Sequence, residues 1–205
     1  MLKLFYAPTS PYARKVMACA HELGIADRIE TIVSAGNPLR RDESVAERNP
    51  LGKIPTMVTE DGTALFDSPV ICEYLDSTAP QPRLFPREGE ARWTALTQQA
   101  AADGLLDAAL MIRHEDTLRR EDRQWQDWRE AQMIKIRATL GWLESSVTAG
   151  QEVTIGTIAA GCALGYLDFR FAGFDWRRDH PRLGEWFGHF GERPSMRATA
   201  PFVAA

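Results

Sequence analysis

Leu4-Phe5-Tyr6-Ala7 is an apolar, aromatic run that Pro8 stops, and it predicts a first strand. Ser10-Pro11 reads as a helix start, since Ser is a favoured N-cap and Pro suits the first helical position. Val16, Ala20 and Leu23 then recur at helical spacing until Gly24. Ile29 to Ala35 is β-prone, and the charged segment from Gly36-Asn37-Pro38 to Asn49 is irregular or weakly helical. Lys53 to Thr59 and Thr63 to Phe66 form two strands around an Asp61-Gly62 hairpin turn. Asp67-Ser68-Pro69 opens another helix, from Val70 to Leu75 and a little beyond. The order strand, helix, strand, helix, strand, strand, helix predicts a small mixed sheet with helices packed on it.

Residues 79–86 hold three prolines in eight positions, a stiff linker, and beyond them the apolar period is helical throughout. Trp93 and Leu96 begin a helix running through Asp103, Asp107 and Met111. Met133, Ile136, Leu140, Leu143 and Val147 step by three and four, the stripe of a core-facing helix. Thr154 to Phe169 is apolar on all sides and predicts a buried helix, while Leu183, Trp186, Phe187 and Phe190 mark one more amphipathic helix. The expected organisation is an α/β domain over 1–78, a linker over 79–86 and an all-α domain over 87–205.

Composition adds exclusions. The net charge of −4, with no basic run interleaved with aromatics, argues against nucleic acid. No apolar run approaches the ~18 residues of a membrane span. The strand-like start, broken by Pro8, lacks the pattern of a signal peptide. Cys19, Cys72 and Cys162 are odd in number and far apart, and read as small core residues of a reducing compartment rather than as disulfides or a metal site. Cytoplasm is the expected location.

The chemistry gathers at two helix mouths and one proline. Ser10 sits where free N–H groups and the helix dipole favour negative charge, with Arg14 and Lys15 nearby; it is either a cap alone or a cap that also holds an anion. Ser68-Pro69 repeats the device, with Asp67 before it. It is either a simple cap or a site taking a ligand carboxylate at Ser68 and a ligand ammonium at Asp67. Pro55 at a strand start needs an edge, a bulge or a cis bond; a cis Ile54-Pro55 would leave the Ile54 backbone free to pair with an extended peptide. Lys53 could reach a second carboxylate. These sites together describe a ligand with an amino-acid end, a peptide-like middle and a group beside Ser10.

Ser10-Pro11-Tyr12-Ala13-Arg14-Lys15-Val16, Asn49-Pro50-Leu51-Gly52-Lys53-Ile54-Pro55 and Asp67-Ser68, in this order and spacing, resemble the motifs of cytosolic glutathione S-transferases. More narrowly they resemble a bacterial branch with a Ser-Pro-[Tyr/Phe] turn. Gly165 to Phe171 and Arg193-Pro194-Ser195, with Thr199 and Pro201, extend the resemblance over nearly the whole chain. It implies a thioredoxin-like N-terminal domain, an all-α C-terminal domain and a homodimer. It implies that Ser10 hydrogen-bonds the glutathione sulfur, with Thr9 as its rival. Ile54, before a cis Pro55, would pair with the cysteinyl backbone, Asp67 and Ser68 would hold the γ-glutamyl end, and Lys53 the glycyl carboxylate. Glutathione would be the cosubstrate, without a metal, and a small hydrophobic electrophile its partner in detoxification. The second pocket would lie between the domains, by Tyr12 and the helix carrying Asp103, Asp107, Met111 and His114.

Ser10 should not be a covalent nucleophile, because no His or acid is placed in sequence to activate it. The alternatives to a transferase are a non-catalytic glutathione-fold binding protein and a glutathione-dependent isomerase, dehalogenase or peroxidase. Three further expectations concern structure. Thr157 stands where the family has an acid, which should weaken a capping box begun by Thr154, so Thr157→Asp should stabilise the chain. Asp168 and Arg170 should form an ion pair or cap, and the tryptophans should be core.

Overall fold

The computed structural model describes residues 1–34 and 36–203, so Ala35, the expected end of the second strand, lies outside the described residues. The chain forms two compact units: Met1–Arg87 with the segment that begins at Arg193, and Glu88–Glu192.

The first unit carries β1 (Leu2–Tyr6), α1 (Pro11–Glu22), β2 (Ile29–Val33), α2 (Glu43–Ala46), β3 (Thr56–Val58), β4 (Ala64–Leu65) and α3 (Ser68–Thr78). The sheet order is β2-β1-β3-β4, with β1 and β2 parallel and the other pairs antiparallel. α1 is thus the crossover between parallel neighbours. It ends as its sequence dictates: Leu23 caps it and Gly24 follows at φ +69°, a conformation glycine adopts without steric cost. Leu4, Ala13, Val16, Met57, Ile71 and Leu75 are fully buried and form the centre of this core. Buried Asp76 accepts the backbone N–H groups of Arg83 (2.9 Å), Leu84 (2.8 Å) and Phe85 (3.3 Å), so the proline-rich linker is tied to α3 rather than merely stiff.

The second unit is helical: α4 (Gly89–Leu118), α5 (Gln126–Ser146), α6 (Ile155–Arg170), α7 (Trp176–Asp179) and α8 (Pro181–Gly191). The α5 stripe Met133, Ile136, Leu140 and Leu143 is buried, as is every residue of α6 from Ile155 to Leu167. α6 lies so close to α4 that a Cβ on Gly156 would stand 2.7 Å from the Ala95 carbonyl oxygen. A further short helix, α9 (Pro194–Ala198), packs against α1 of the first unit. The residues from Arg193 on therefore depart from the sequence-based division, which placed 87–205 together. Their tie is Glu22, which accepts from Arg193 Nε (2.8 Å), Arg193 Nη2 (2.9 Å) and Ser195 Oγ (2.6 Å).

Other expectations are corrected. The capping box of α6 is complete: Thr157 Oγ1 accepts from Thr154 N and donates to the Thr154 carbonyl, both at 2.9 Å. A hydroxyl does what the acid was expected to do and adds a donor, so there is no deficit for Thr157→Asp to repair. Asp168 pairs not with Arg170 but with Arg177 (2.6 and 2.7 Å) and Trp176 Nε1 (2.9 Å), because the turn after α6 brings α7 back over its last residues. Of the tryptophans, Trp176 and Trp186 are buried, while Trp93, Trp125, Trp128 and Trp142 are exposed. Among the described residues no helix is long and apolar enough to cross a membrane, and no His/Cys/Asp/Glu group is placed to hold a metal. The three cysteines are buried and form no disulfide among the described residues.

Candidate functional site

Strand register brings the sequence motifs to one end of the sheet. Phe5 of β1 pairs with Thr56 of β3, and Met57 of β3 pairs with Leu65 of β4. Following β1 forward leads to Ala7–Ser10, following β3 backward leads to Pro55 and Ile54, and following β4 forward leads to Asp67 and Ser68. All three leave the sheet at the carboxyl end of β1, the end at which open α/β sheets bind ligands. Adjacent strands lie ~4.8 Å apart, so from β1 across β3 to β4 is roughly 10 Å, the length of an extended tripeptide.

Ser10 is the N-cap of α1, with extended backbone; its N donates to Ala7 O at 3.0 Å and its Oγ accepts from Ala13 N at 3.2 Å. Because the hydroxyl oxygen serves the helix as acceptor, its own proton remains available to donate outward. Thr9 and Ser10 are both half-buried. Thr9 makes no capping bond to α1; the cap is Ser10.

The Ile54–Pro55 peptide bond is cis, and so is Phe66–Asp67. Ile54 lies before the ladder, which starts at Thr56. A network that the sequence motif did not disclose fixes this loop. Asn49, 1% exposed, donates to the Lys53 carbonyl (3.0 Å) and Thr56 Oγ1 (2.9 Å) and accepts from Leu51 N (3.0 Å). Thr56 Oγ1 in turn donates to the Lys53 carbonyl at 2.8 Å. With that carbonyl satisfied internally, the Lys53 side chain stands exposed and Ile54 half-buried above buried Pro55.

The second helix mouth differs from expectation. Asp67, not Ser68, is the N-cap of α3: its carbonyl accepts from Ile71 N (3.0 Å) and its side chain makes no capping bond. Ser68 is the first helical residue, 2% exposed, with Pro69 second. The Asp67 carboxylate is exposed at the positive end of the helix. Arg14 and Lys15, beside the first mouth, are buried, being 8% and 0% exposed. Arg14 Nη2 donates to Met196 O at 3.1 Å.

The glutathione S-transferase N-terminal domain family matches residues 9–78, and its C-terminal domain family matches residues 126–189. The GST-like protein YibF of Escherichia coli K12 is 36% identical over 204 residues, 98% of each chain. The chain belongs to the glutathione S-transferase family. Its first unit is the thioredoxin-like domain of that fold and its second the all-α domain. A glutathione transferase family member of Pseudomonas fluorescens Pf-5, crystallised with bound glutathione, is 43% identical, with a TM-score of 0.96 over 99% of this chain and all of that one. A second Pf-5 crystal structure, at 42% identity and a TM-score of 0.92 over 98% of this chain and all of that one, holds S-(propanoic acid)-glutathione.

Proposed function

We propose that this chain is a glutathione transferase that binds glutathione across the sheet end and activates its thiol for attack on a small electrophile. The observation that carries this is the convergence of the Ser10 mouth, Ile54 before cis Pro55, and the Asp67 mouth at one edge, at tripeptide spacing. The glutathione bound in the Pf-5 relative supports it. The cysteinyl backbone pairs with Ile54, the γ-glutamyl ammonium meets Asp67 and its carboxylate the Ser68 turn, and Lys53 takes the glycyl carboxylate. Ser10 then faces the sulfur.

A thiol titrates near ~8.5, and only the thiolate is a good nucleophile. A hydrogen bond to a charged group is worth ~1.5–3 kcal/mol and one pKa unit ~1.4 kcal/mol, so the Ser10 hydroxyl lowers the thiol by about one to two units. The N-terminus of α1 adds to this. The thiolate then forms a carbon–sulfur bond and the electrophile loses a leaving group or gains a proton. We place the chain in the bacterial branch with the Ser-Pro-[Tyr/Phe] turn, as a cytoplasmic homodimer in detoxification.

Calorimetric titration with glutathione tests the assignment, with 1-chloro-2,4-dinitrobenzene as a general electrophile for turnover. Binding should weaken about tenfold or more in Asp67→Ala, the loss of one charge-assisted contact. Wild-type protein that takes up no glutathione would leave the assignment without support.

A further inference from the structure

Beside Ser10 a cleft of about 100 Å³ opens along α1. Ser10, Arg14, Met17 and His21, spaced by four, three and four, present one helical face to it. Tyr6 and Thr31 line it from β1 and β2, and residues 198–200 with Phe202 border it from the C-terminal segment. Among the described residues no carboxylate lines it, and Glu22, next to His21, is already occupied by Arg193, Ser195 and Arg83.

Arg14 is the notable group here. It is nine-tenths buried, Nη2 serves Met196 O, and Nε is buried with no acceptor. Arg14 makes no salt bridge among the described residues. A buried guanidinium without an anion is costly, and its planar fork is suited to receive a carboxylate. The lining is otherwise of hydroxyls, an imidazole and apolar surface, with nothing to repel an anion.

We propose that this cleft receives the carboxylate of an acid-bearing electrophile, anchored by Arg14, so that the preferred second substrates are small carboxylic acids. This rests on the transferase assignment and deepens it. Arg14 lies one helical turn from Ser10, with Cβ atoms ~6 Å apart. A sulfur held at Ser10 and a carboxylate held at Arg14 are therefore bridged by a chain of two or three carbons. In a 3-halopropanoate the thiolate lone pair forms the carbon–sulfur bond at C3 as the carbon–halogen bond breaks. Halide leaves with that bond's electrons, and the thiol proton has already gone to solvent.

The test is kcat/KM for 3-bromopropanoate against 3-bromopropanamide, which differ in charge but not in leaving group, each relative to its uncatalysed reaction with glutathione. Alkylation of the enzyme should not interfere, because all three cysteines are buried. The acid should be favoured about tenfold or more, the worth of a charge-assisted pair, and Arg14→Met should bring the ratio close to one. Should that variant fail to fold, since Arg14 also holds Met196, propanoate must still inhibit the wild type competitively against the acid substrate. Equal or better turnover of the amide by protein that binds glutathione overturns the proposal and leaves the transferase assignment standing. Failure of glutathione to bind in calorimetry overturns both.

Discussion

Glu22, the last residue of α1, is the joint between α1 and the C-terminal segment, and Glu22→Gln tests how that segment is held. The side chain is 5% exposed. It receives both Arg193 nitrogens, Ser195 Oγ and Arg83 Nη2 (3.1 Å). Burial works to raise its carboxyl, but the hydrogen bonds from Arg193, Ser195 and Arg83 and the charge of Arg193 outweigh burial and hold it below its ordinary value. Glutamine keeps the shape and one acceptor oxygen but loses the charge. Arg193 and Arg83, 36% and 47% exposed, can turn to water, so each forfeits only ~0–1 kcal/mol. Buried Ser195 loses a charged acceptor, ~1 kcal/mol more, giving a deficit of about 2 kcal/mol at pH 7. The assay is urea unfolding together with amide exchange across α9, where protection should fall. The sign with pH follows from linkage: a carboxyl lower in the folded than in the unfolded state contributes fully above its unfolded value, ~4.3, and loses that contribution as pH falls through the folded value. The gap between wild type and variant should therefore close in acid. A gap that persists unchanged to low pH, or α9 protection equal in both proteins, would refute the reasoning.

Two further outcomes test the second unit. Gly156→Ala places a methyl 2.7 Å from the Ala95 carbonyl and 2.6 Å from Gln98 Oε1; overpacking of ~1–3 kcal/mol or more should exceed the ~1 kcal/mol gain in helix propensity, lowering the urea midpoint. An unchanged or raised midpoint would mean the helices are not in such close contact. Thr157→Val keeps the shape but orphans the buried Thr154 N–H, while the Thr154 carbonyl keeps Ile158 N (3.0 Å), and should cost ~1–3 kcal/mol by the same measurement; no loss would show that the hydroxyl is not the closing member of the capping box.

What could be read from the sequence was local. The Ser10 cap, the end of α1 at Gly24 and the buried stripes of α5 and α6 follow from spacing and turn chemistry within a few residues, and they stand in the structure. The sequence locates the second helix mouth but puts its cap one residue late, at Ser68, since Asp and Ser are equally good caps and only the Asp67 carbonyl bond to Ile71 N tells them apart. The burial of Arg14 is not legible in the sequence, because its partner, Met196 O, is 182 residues away and a backbone carbonyl has no sequence signature. Proximity in sequence pairs Asp168 with Arg170, but residues two apart on a helix do not face each other, and the chain turns back to offer Arg177 and Trp176 instead. Residue type alone predicts buried tryptophans. Trp125 and Trp128, stacked at 6.5 Å at the start of α5, show that a large apolar ring can instead remain on the surface. Asn49 opens the Asn49-to-Pro55 motif, yet its task of satisfying the Lys53 carbonyl is visible only in three dimensions.

The central claim is thiol activation at Ser10. Its most direct test is a pH titration of thiolate absorbance for glutathione bound to wild type and to Ser10→Ala. The bound thiol should titrate about one to two units below the free value of ~8.5 in the wild type and return toward it in the variant. Glutathione that binds to both proteins with the same thiol pKa would contradict the claim and move the sulfur contact to Thr9.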